Sequence, residues 1–496
     1  MASNVKEHLI RFMVPLLAGI SMGVIVGALT GASPKRLVFA LSAITLPFLA
    51  ILSGSPKKFL LLIFFSSIPL NINYFLFKQY AHHLGGANGL YLIPADLPLA
   101  GLYLVWGYET VILRRRQNLG GQLSPLMPIL FVFILALSII GSIKPLWGLY
   151  ELIRWIRYLL ILVYLSRNLV RKNVPLVLTG LGIAVILQCG LAISQVVMRS
   201  DLGLSTLGVA GRGSQDVFVQ QLSKHAQVIR GAGTTGHPNI LGTFLILLVP
   251  IFVSLCLSLS KGKVWIGSLM VCLAGSVALY YTFSRGAVFS FVGSIAFLVL
   301  MLAGFKILSL KQTMSVILGG LIVLMVGSLI TYRTMEKRIT YDSRQSFRVR
   351  MQYNEAAWEM FKNHVFLGVG INNYTLALDK FAPGVAAHMD KEERIRAGVH
   401  NLYLLILAET GAFGILGFAL LIGGVFAVTL REAVKQRRFE KAVALGILSG
   451  LTGASVHNLL EFTLWLDTNL YTLAILTALV GAMGRDSDIG GGAHLE

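Results

Sequence analysis

The residues best equipped for chemistry are one histidine and a set of arginines. His400 stands where a polar stretch meets an apolar run, in Val399-His400-Asn401-Leu402-Tyr403-Leu404. An imidazole titrates near neutral pH, which makes histidine the commonest general base. At a helix start it also serves as an ordinary hydrogen-bonding group. Arg344, Arg348 and Arg350 lie upstream in the same polar stretch. Guanidinium groups stay charged and bind phosphate oxygens in pairs. Arg285 sits in Ser284-Arg285-Gly286, after Tyr280, Tyr281 and Thr282. That is either a polar, aromatic mouth or a side chain snorkelling to lipid headgroups. Arg230 opens a glycine-rich run that ends His237-Pro238-Asn239. Glycines leave backbone N–H groups open to an anion. The run lacks the Gly-Lys-Ser/Thr of a phosphate-binding loop, and it also reads as a turn with Asn239 near a helix N-cap. His457 and Glu461 are i,i+4 and share a helical face, where they can orient one another or a neighbouring helix. Glu409 follows His400 by nine residues, which puts it on the opposite helical face and leaves His457 or Glu461 on the next span as the candidates for the group that orients His400. The sequence contains no HExxH, no DxD on an outer loop and no Cys/His cluster, so it offers no metal set and implies no cofactor. A base with several arginines suits a transfer in which a phosphate leaves and guanidinium groups stabilise it.

These residues must be positioned by membrane helices. The chain has 496 residues, 55% hydrophobic and only 13% charged, with a mean hydropathy of +0.75. Soluble domains are about one quarter charged. The net charge of +20 is read as lysine and arginine collected in the cytoplasmic loops of a membrane protein, not as a nucleic-acid surface. Cys189, Cys256 and Cys272 all fall in apolar runs, which excludes a disulfide framework and a cysteine zinc site.

A span needs about 20 apolar residues. Such runs occur near 12–30, 37–53, 59–77, 90–112, 126–143, 147–166, 174–198, 239–260, 264–283, 287–304, 313–331, 401–428, 442–461 and 468–483. The expected fold is therefore all-α and polytopic, with 12–14 spans. Several runs are imperfect: Pro69, Asn71 and Asn73 interrupt the third, Pro94, Asp96 and Pro98 the fourth, and Glu151, Arg154 and Arg157 the sixth. Lysine and arginine fill alternate loops, at Lys57-Lys58, Arg114-Arg115-Arg116, Arg167/Arg171/Lys172, Lys261/Lys263, Lys306/Lys311 and Arg431–Lys441. This pattern places both termini in the cytoplasm and segments 199–238 and 332–400 outside. The expected organisation is N-terminal spans over 1–200, an extracytoplasmic loop over 201–238, spans over 239–331, a large extracytoplasmic loop over 332–400, spans over 401–484 and a cytoplasmic tail over 485–496. In the large loop, Phe347, Met351, Trp358 and Phe361 form one helical stripe, with Arg348, Gln352, Glu355, Glu359 and Lys362 opposite. Such an amphipathic helix lies along the membrane surface or packs on the bundle.

Taken together, these motifs resemble a known family. His400-Asn401-Leu402 followed by Glu409-Thr410-Gly411 and Gly414 is similar to the HNxxL…ExGxxG signature of the O-antigen ligase/polymerase superfamily. Arg350…Ala357…Gly368-Val369-Gly370 resembles its RxxxxxxA…PxxGxG run, with His364-Val365 where the family usually has proline. Ser284-Arg285-Gly286 and Gly233…His237-Pro238-Asn239 match in order, so the resemblance covers roughly 225–465. It implies a GT-C-like, inverting, metal-independent glycosyltransferase of the bacterial inner membrane, active on the extracytoplasmic side. The implied donor is a glycan on undecaprenyl pyrophosphate, and the acceptor a glycan or lipid A core hydroxyl. Carried over by residue, His400 is the base, while Arg285 and Arg350 bind and stabilise the pyrophosphate. Arg230, His237, Asn239, Arg348, Asn401, His457 and Glu461 are the further substrate-binding candidates. The implied partners are membrane lipids and a flippase or chain-length regulator, with no nucleic acid. A transporter of inorganic carbon or another small anion is the alternative. It predicts paired broken helices and midplane charges, for which Asp96 between Pro94 and Pro98 is one candidate.

Overall fold

The computed structural model describes residues 19, 33–78, 86–114, 125–207, 221–223, 226–227, 229–322, 325, 343–389 and 398–485. The expected first span at 12–30, apart from residue 19, and the tail after 485 lie outside the described residues. The fold is all-α and polytopic. Among the described residues, seven helices are long and apolar enough to cross a membrane: Pro34–Leu52, Arg171–Met198, Pro238–Ser258, Lys263–Tyr281, Arg285–Gly304, Leu402–Lys435 and Arg438–His457. Leu126–Gly141, Leu310–Ile322 and Asp467–Met483 are shorter apolar helices. Pro145–Asn168 has spanning length but carries Glu151, Arg154 and Arg157, all buried.

Two expected spans are corrected. The third stops at Ser67 after 12 residues, just before Pro69. Beyond it, Tyr74–Lys78 pairs antiparallel with Gly89–Leu92. The fourth begins as that second strand; its helix starts only at Asp96, runs to Gly107 and continues as a π-helix over Tyr108–Ile112. Prolines cannot donate to a helical ladder, and Asp96 accepts from Ile93 N at 2.9 Å at the helix start. Apolar composition alone did not distinguish a short helix with a hairpin from a continuous span.

The described loops separate into two ends of the bundle. At one end Lys57 Nζ donates to Glu109 and Asn168, and Arg171 donates to Gln436 and the Met483 carbonyl. At the other, Asn71 donates to the Thr235 carbonyl, Tyr91 to Asp467, and the Lys144 N–H to Asn373. His400, Arg285 and Arg350 all belong to this second end.

The helix Ser343–Asn363 packs on Leu402–Lys435. Its buried face is Tyr353, Ala356, Ala357 and Met360. Met351 and Trp358 stay 51% and 48% exposed.

The glycine motifs explain how the large loop is anchored. Gly411 interrupts Leu402–Lys435 with φ 66° and ψ −162°, a conformation essentially restricted to glycine. The break frees carbonyls at Ala408 and Glu409, which accept from Val369 and Gly370 N–H groups at 2.9 Å each. In return, Ala412 N–H donates to the Val365 carbonyl at 2.7 Å. A Cβ on Gly411 would lie 2.4 Å from backbone atoms of Phe366. The Glu409 carboxylate completes the brace by accepting from Asn372 and Tyr374 N–H groups at 2.8 and 3.0 Å.

Pro238–Ser258 and Arg438–His457 pack equally closely. A Cβ on Gly446 would sit 2.4 Å from Ile251 Cα, and one on Gly450 2.4 Å from the Leu247 carbonyl oxygen. Small residues four apart let membrane helices meet backbone to backbone. This contact brings residues 239–243 against residues 457–463.

Candidate active site

Three of the sequence motifs start helices at the same end of the bundle. His237 caps Pro238–Ser258, its Nδ1 accepting from Asn239 N at 3.1 Å. Ser284 caps Arg285–Gly304 by accepting from Ala287 N at 3.3 Å. Asn401 caps Leu402–Lys435, accepting from Tyr403 and Leu404 N–H groups at 3.0 and 3.1 Å. Each side chain satisfies N–H groups that a helix start leaves open. Three helix N-termini at one end also bring three positive dipole ends there, a setting that favours anions.

Glu461 is the hub between them. It lies in the connection after Arg438–His457 and is buried. Its Oε2 pairs with His400 Nδ1 at 3.1 Å. Its Oε1 accepts from Asn239 Nδ2 at 2.7 Å and from Arg350 Nη2 at 3.2 Å. Burial alone would raise this carboxyl, but the hydrogen bond from His400 and the charges of His400 and Arg350 outweigh it and hold the group at about 2. An ionised carboxylate only accepts. His400 Nδ1 is therefore the donor, and the outer nitrogen, Nε2, carries the free lone pair when the ring is neutral. The His400 side chain is 31% exposed.

The segment carrying Glu461 is tied down on both sides. Leu402 N–H donates to the carbonyls of Asn458 and Glu461, both at 3.0 Å. Asn458 Oδ1 accepts from Leu464 N at 2.9 Å. Thr243 Oγ1 lies 2.8 Å from His457 Nδ1 and 2.6 Å from Thr463 Oγ1. Arg350 Nη1 donates to the Leu460 carbonyl at 3.3 Å.

The arginines fall into three settings. Arg230 is buried, with Nε donating to the Thr282 carbonyl at 2.8 Å and Nη2 to Asn239 Oδ1 at 2.9 Å. Arg350 is partly exposed and rests on Glu461. Arg285 and Arg348 are exposed, and the side chain of Arg344 lies outside the described residues. Arg285 joins the cluster through its neighbour. A Cβ on Gly286 would lie 3.6 Å from His457 Nε2 and 3.7 Å from Leu460 Cδ1. His457 is buried, its Nε2 faces this helix start, and no hydrogen-bond partner is found for that atom among the described residues. His237 is half-buried. Burial, reinforced by the Arg230 charge, pushes its imidazole down to about 4, so it is neutral at pH 7.

Thus His400, Arg350, Asn239, Arg230 and Glu461 form one connected group, and His457 joins it through Thr243. His237 and Asn401 serve as helix caps at its edge. Thr243 and Thr463 were not singled out from the sequence, although Thr243 follows Asn239 by four residues on the same helix. Glu409, facing the other way, braces the loop. Asp96, the residue singled out for the transporter reading, is engaged: Arg157 Nε pairs with its carboxylate at 2.9 Å.

A search among curated proteins finds no match for this chain. Residues 246–422 match the family described as O-antigen ligase. The matched stretch includes Arg285, Arg348, Arg350, His400 and the Gly411 brace; Arg230, Asn239, His457 and Glu461 lie beyond it. This match over residues 246–422 supports the resemblance of the chain to the O-antigen ligase and polymerase superfamily.

Proposed function

We propose that the protein is an inverting, metal-independent glycosyltransferase of the bacterial inner membrane. It moves a glycan from undecaprenyl pyrophosphate to a sugar hydroxyl on the extracytoplasmic side, as an O-antigen or exopolysaccharide polymerase or an O-antigen ligase. The pairing of His400 Nδ1 with Glu461 Oε2 at 3.1 Å, beside Arg350, carries this reading. It leaves Nε2 to accept the proton of the acceptor hydroxyl as that oxygen attacks the anomeric carbon. The bond from that carbon to the pyrophosphate breaks, and undecaprenyl pyrophosphate leaves with the electron pair. The buried Glu461 carboxylate stabilises the imidazolium that forms. Arg285 and Arg348, exposed at the same end, and Arg350 above Glu461 stabilise the departing charge. The helix start at Arg285 adds its dipole. Direct displacement inverts the anomeric centre.

Purified protein supplied with an undecaprenyl-pyrophosphate oligosaccharide and candidate acceptors tests the reading. Transfer should survive EDTA, and strict dependence on a divalent cation would contradict the metal-independent step. Arg285→Ala should weaken donor binding. Unchanged binding and rate would remove that residue from the site.

A further inference from the structure

The hydrogen bonds around Glu461 have a direction. Arg230 is a donor only, because a guanidinium has no acceptor atom. Ionised Glu461 is an acceptor only. Asn239 lies between them, with Arg230 Nη2 at 2.9 Å from its Oδ1 and Glu461 Oε1 at 2.7 Å from its Nδ2. An amide can present either atom to either side, and its partners decide which. Here Arg230 holds the oxygen, so the amino group must face Glu461. The carboxylate is thereby aimed, and His400 Nδ1 donates to its other oxygen at 3.1 Å. The unprotonated nitrogen of His400 is then Nε2.

We infer that Arg230 and Asn239 are positioning residues for His400: through Glu461 they set its tautomer and orientation, and Arg230 is not a pyrophosphate contact. Two observations bear on the second part. Arg230 is buried, and its guanidinium is committed to the Thr282 carbonyl and to Asn239. The same bonds tie the Arg285 helix start to the Pro238–Ser258 helix, so the residue joins the two elements between which the chemistry would occur. Among the described residues, the charged and titratable groups that share this cluster with His400 are Glu461, Arg350, His237 and His457, with Arg230 acting on His237.

This inference rests on His400 being the base. The full-length protein is assayed for glycan transfer as Arg230→Met, Arg230→Lys, Asn239→Asp and His400→Ala. Binding of undecaprenyl pyrophosphate and thermal stability are measured in parallel. Arg230→Met should lower kcat about tenfold or more, with the donor KM within about twofold. Arg230→Lys retains a donor for Asn239 and should recover part of the rate. Asn239→Asp places a carboxylate against Glu461 and should cost most, because a wrong tautomer at a catalytic histidine can cost up to about 10⁴-fold. Both Arg230→Met and Asn239→Asp make the surroundings of His400 more negative. They should move the acid limb of the pH–rate profile to higher pH, which a loss of stability alone would not do. Weakened undecaprenyl-pyrophosphate binding in Arg230→Met, with an unmoved acid limb, would overturn the inference and make Arg230 a phosphate ligand. Near-normal turnover in His400→Ala would instead overturn the base assignment itself, so the two failures are told apart.

Discussion

Two polar clusters hang on the short segment 457–467, and they are built to opposite specifications. Around His400 the groups are half open: the His400 and Arg350 side chains are 31% and 37% exposed, over a single buried carboxylate. Around Arg154 the guanidiniums are enclosed and fully engaged. Arg154 pairs with Glu151 and Asp467, both at 2.7 Å, and donates to the Trp465 carbonyl at 2.6 Å. Arg157 pairs with Asp96 at 2.9 Å and donates to Tyr471 and the Tyr91 carbonyl. Tyr91 closes the ring onto Asp467 at 2.7 Å. The same residue types thus do different work. A buried arginine satisfied on every side locks helices together, and stripping one partner leaves an uncompensated charge. An arginine at a rim keeps donors for an incoming anion. Asp467 and Glu461, six residues apart, belong one to each cluster, so the closed cluster is the footing of the open one.

The contrast can be broken by substitution. His400→Ala should lower kcat by about 10²–10⁴-fold and leave the melting temperature in detergent nearly unchanged. A large fall in stability would make His400 a structural residue instead. Arg154→Met should do the reverse, costing about 3–5 kcal/mol of stability and showing as loss of folded yield or an early thermal transition. A stable Arg154→Met protein with normal turnover would dissolve the distinction between the clusters. Gly411→Ala should cost about 1–3 kcal/mol from backbone strain alone. It should also loosen the 365–374 loop, which hydrogen exchange at Val369 and Gly370 would report.

The smallest expected effect concerns pH. His237 is held at about 4 against an ordinary 6.5, so the unfolded chain binds its proton first. The stability that this group contributes is complete above pH 6.5 and is lost as pH falls from 6.5 toward 4. His237→Asn, which preserves a capping side chain, should lose less stability between pH 7 and pH 5 than the native protein. Parallel melting curves would refute this.

Much of the arrangement was legible in the residues. The alternation of lysine- and arginine-rich loops put His400, Arg285 and Arg350 at one end, where the structure also has them. Helical phase separated Glu409 from His400, and Glu409 indeed turns to the Asn372–Tyr374 backbone. The partner of His400 was legible only as a choice between His457 and Glu461 on the next span, and the structure selects Glu461. Glu461 is 61 positions away and reads first as the i,i+4 neighbour of His457. It reaches His400 because the chain leaves the helix after His457. Nor was it legible which face of Ser343–Asn363 packs on the bundle, because the apolar stripe and the face with Ala356 and Ala357 are both free of charge.

By itself the sequence determined the class of this protein: a bundle of apolar helices, charged at one end, with a histidine and several arginines at the other. Those features follow from local properties, since apolar run length, charge sign and glycine spacing act wherever the chain goes. Only the tertiary structure decided which arginines are sealed and which are open, and which carboxylate faces His400. Burial and hydrogen-bond direction belong to pairs of groups brought together from distant positions, and no single stretch of chain contains them.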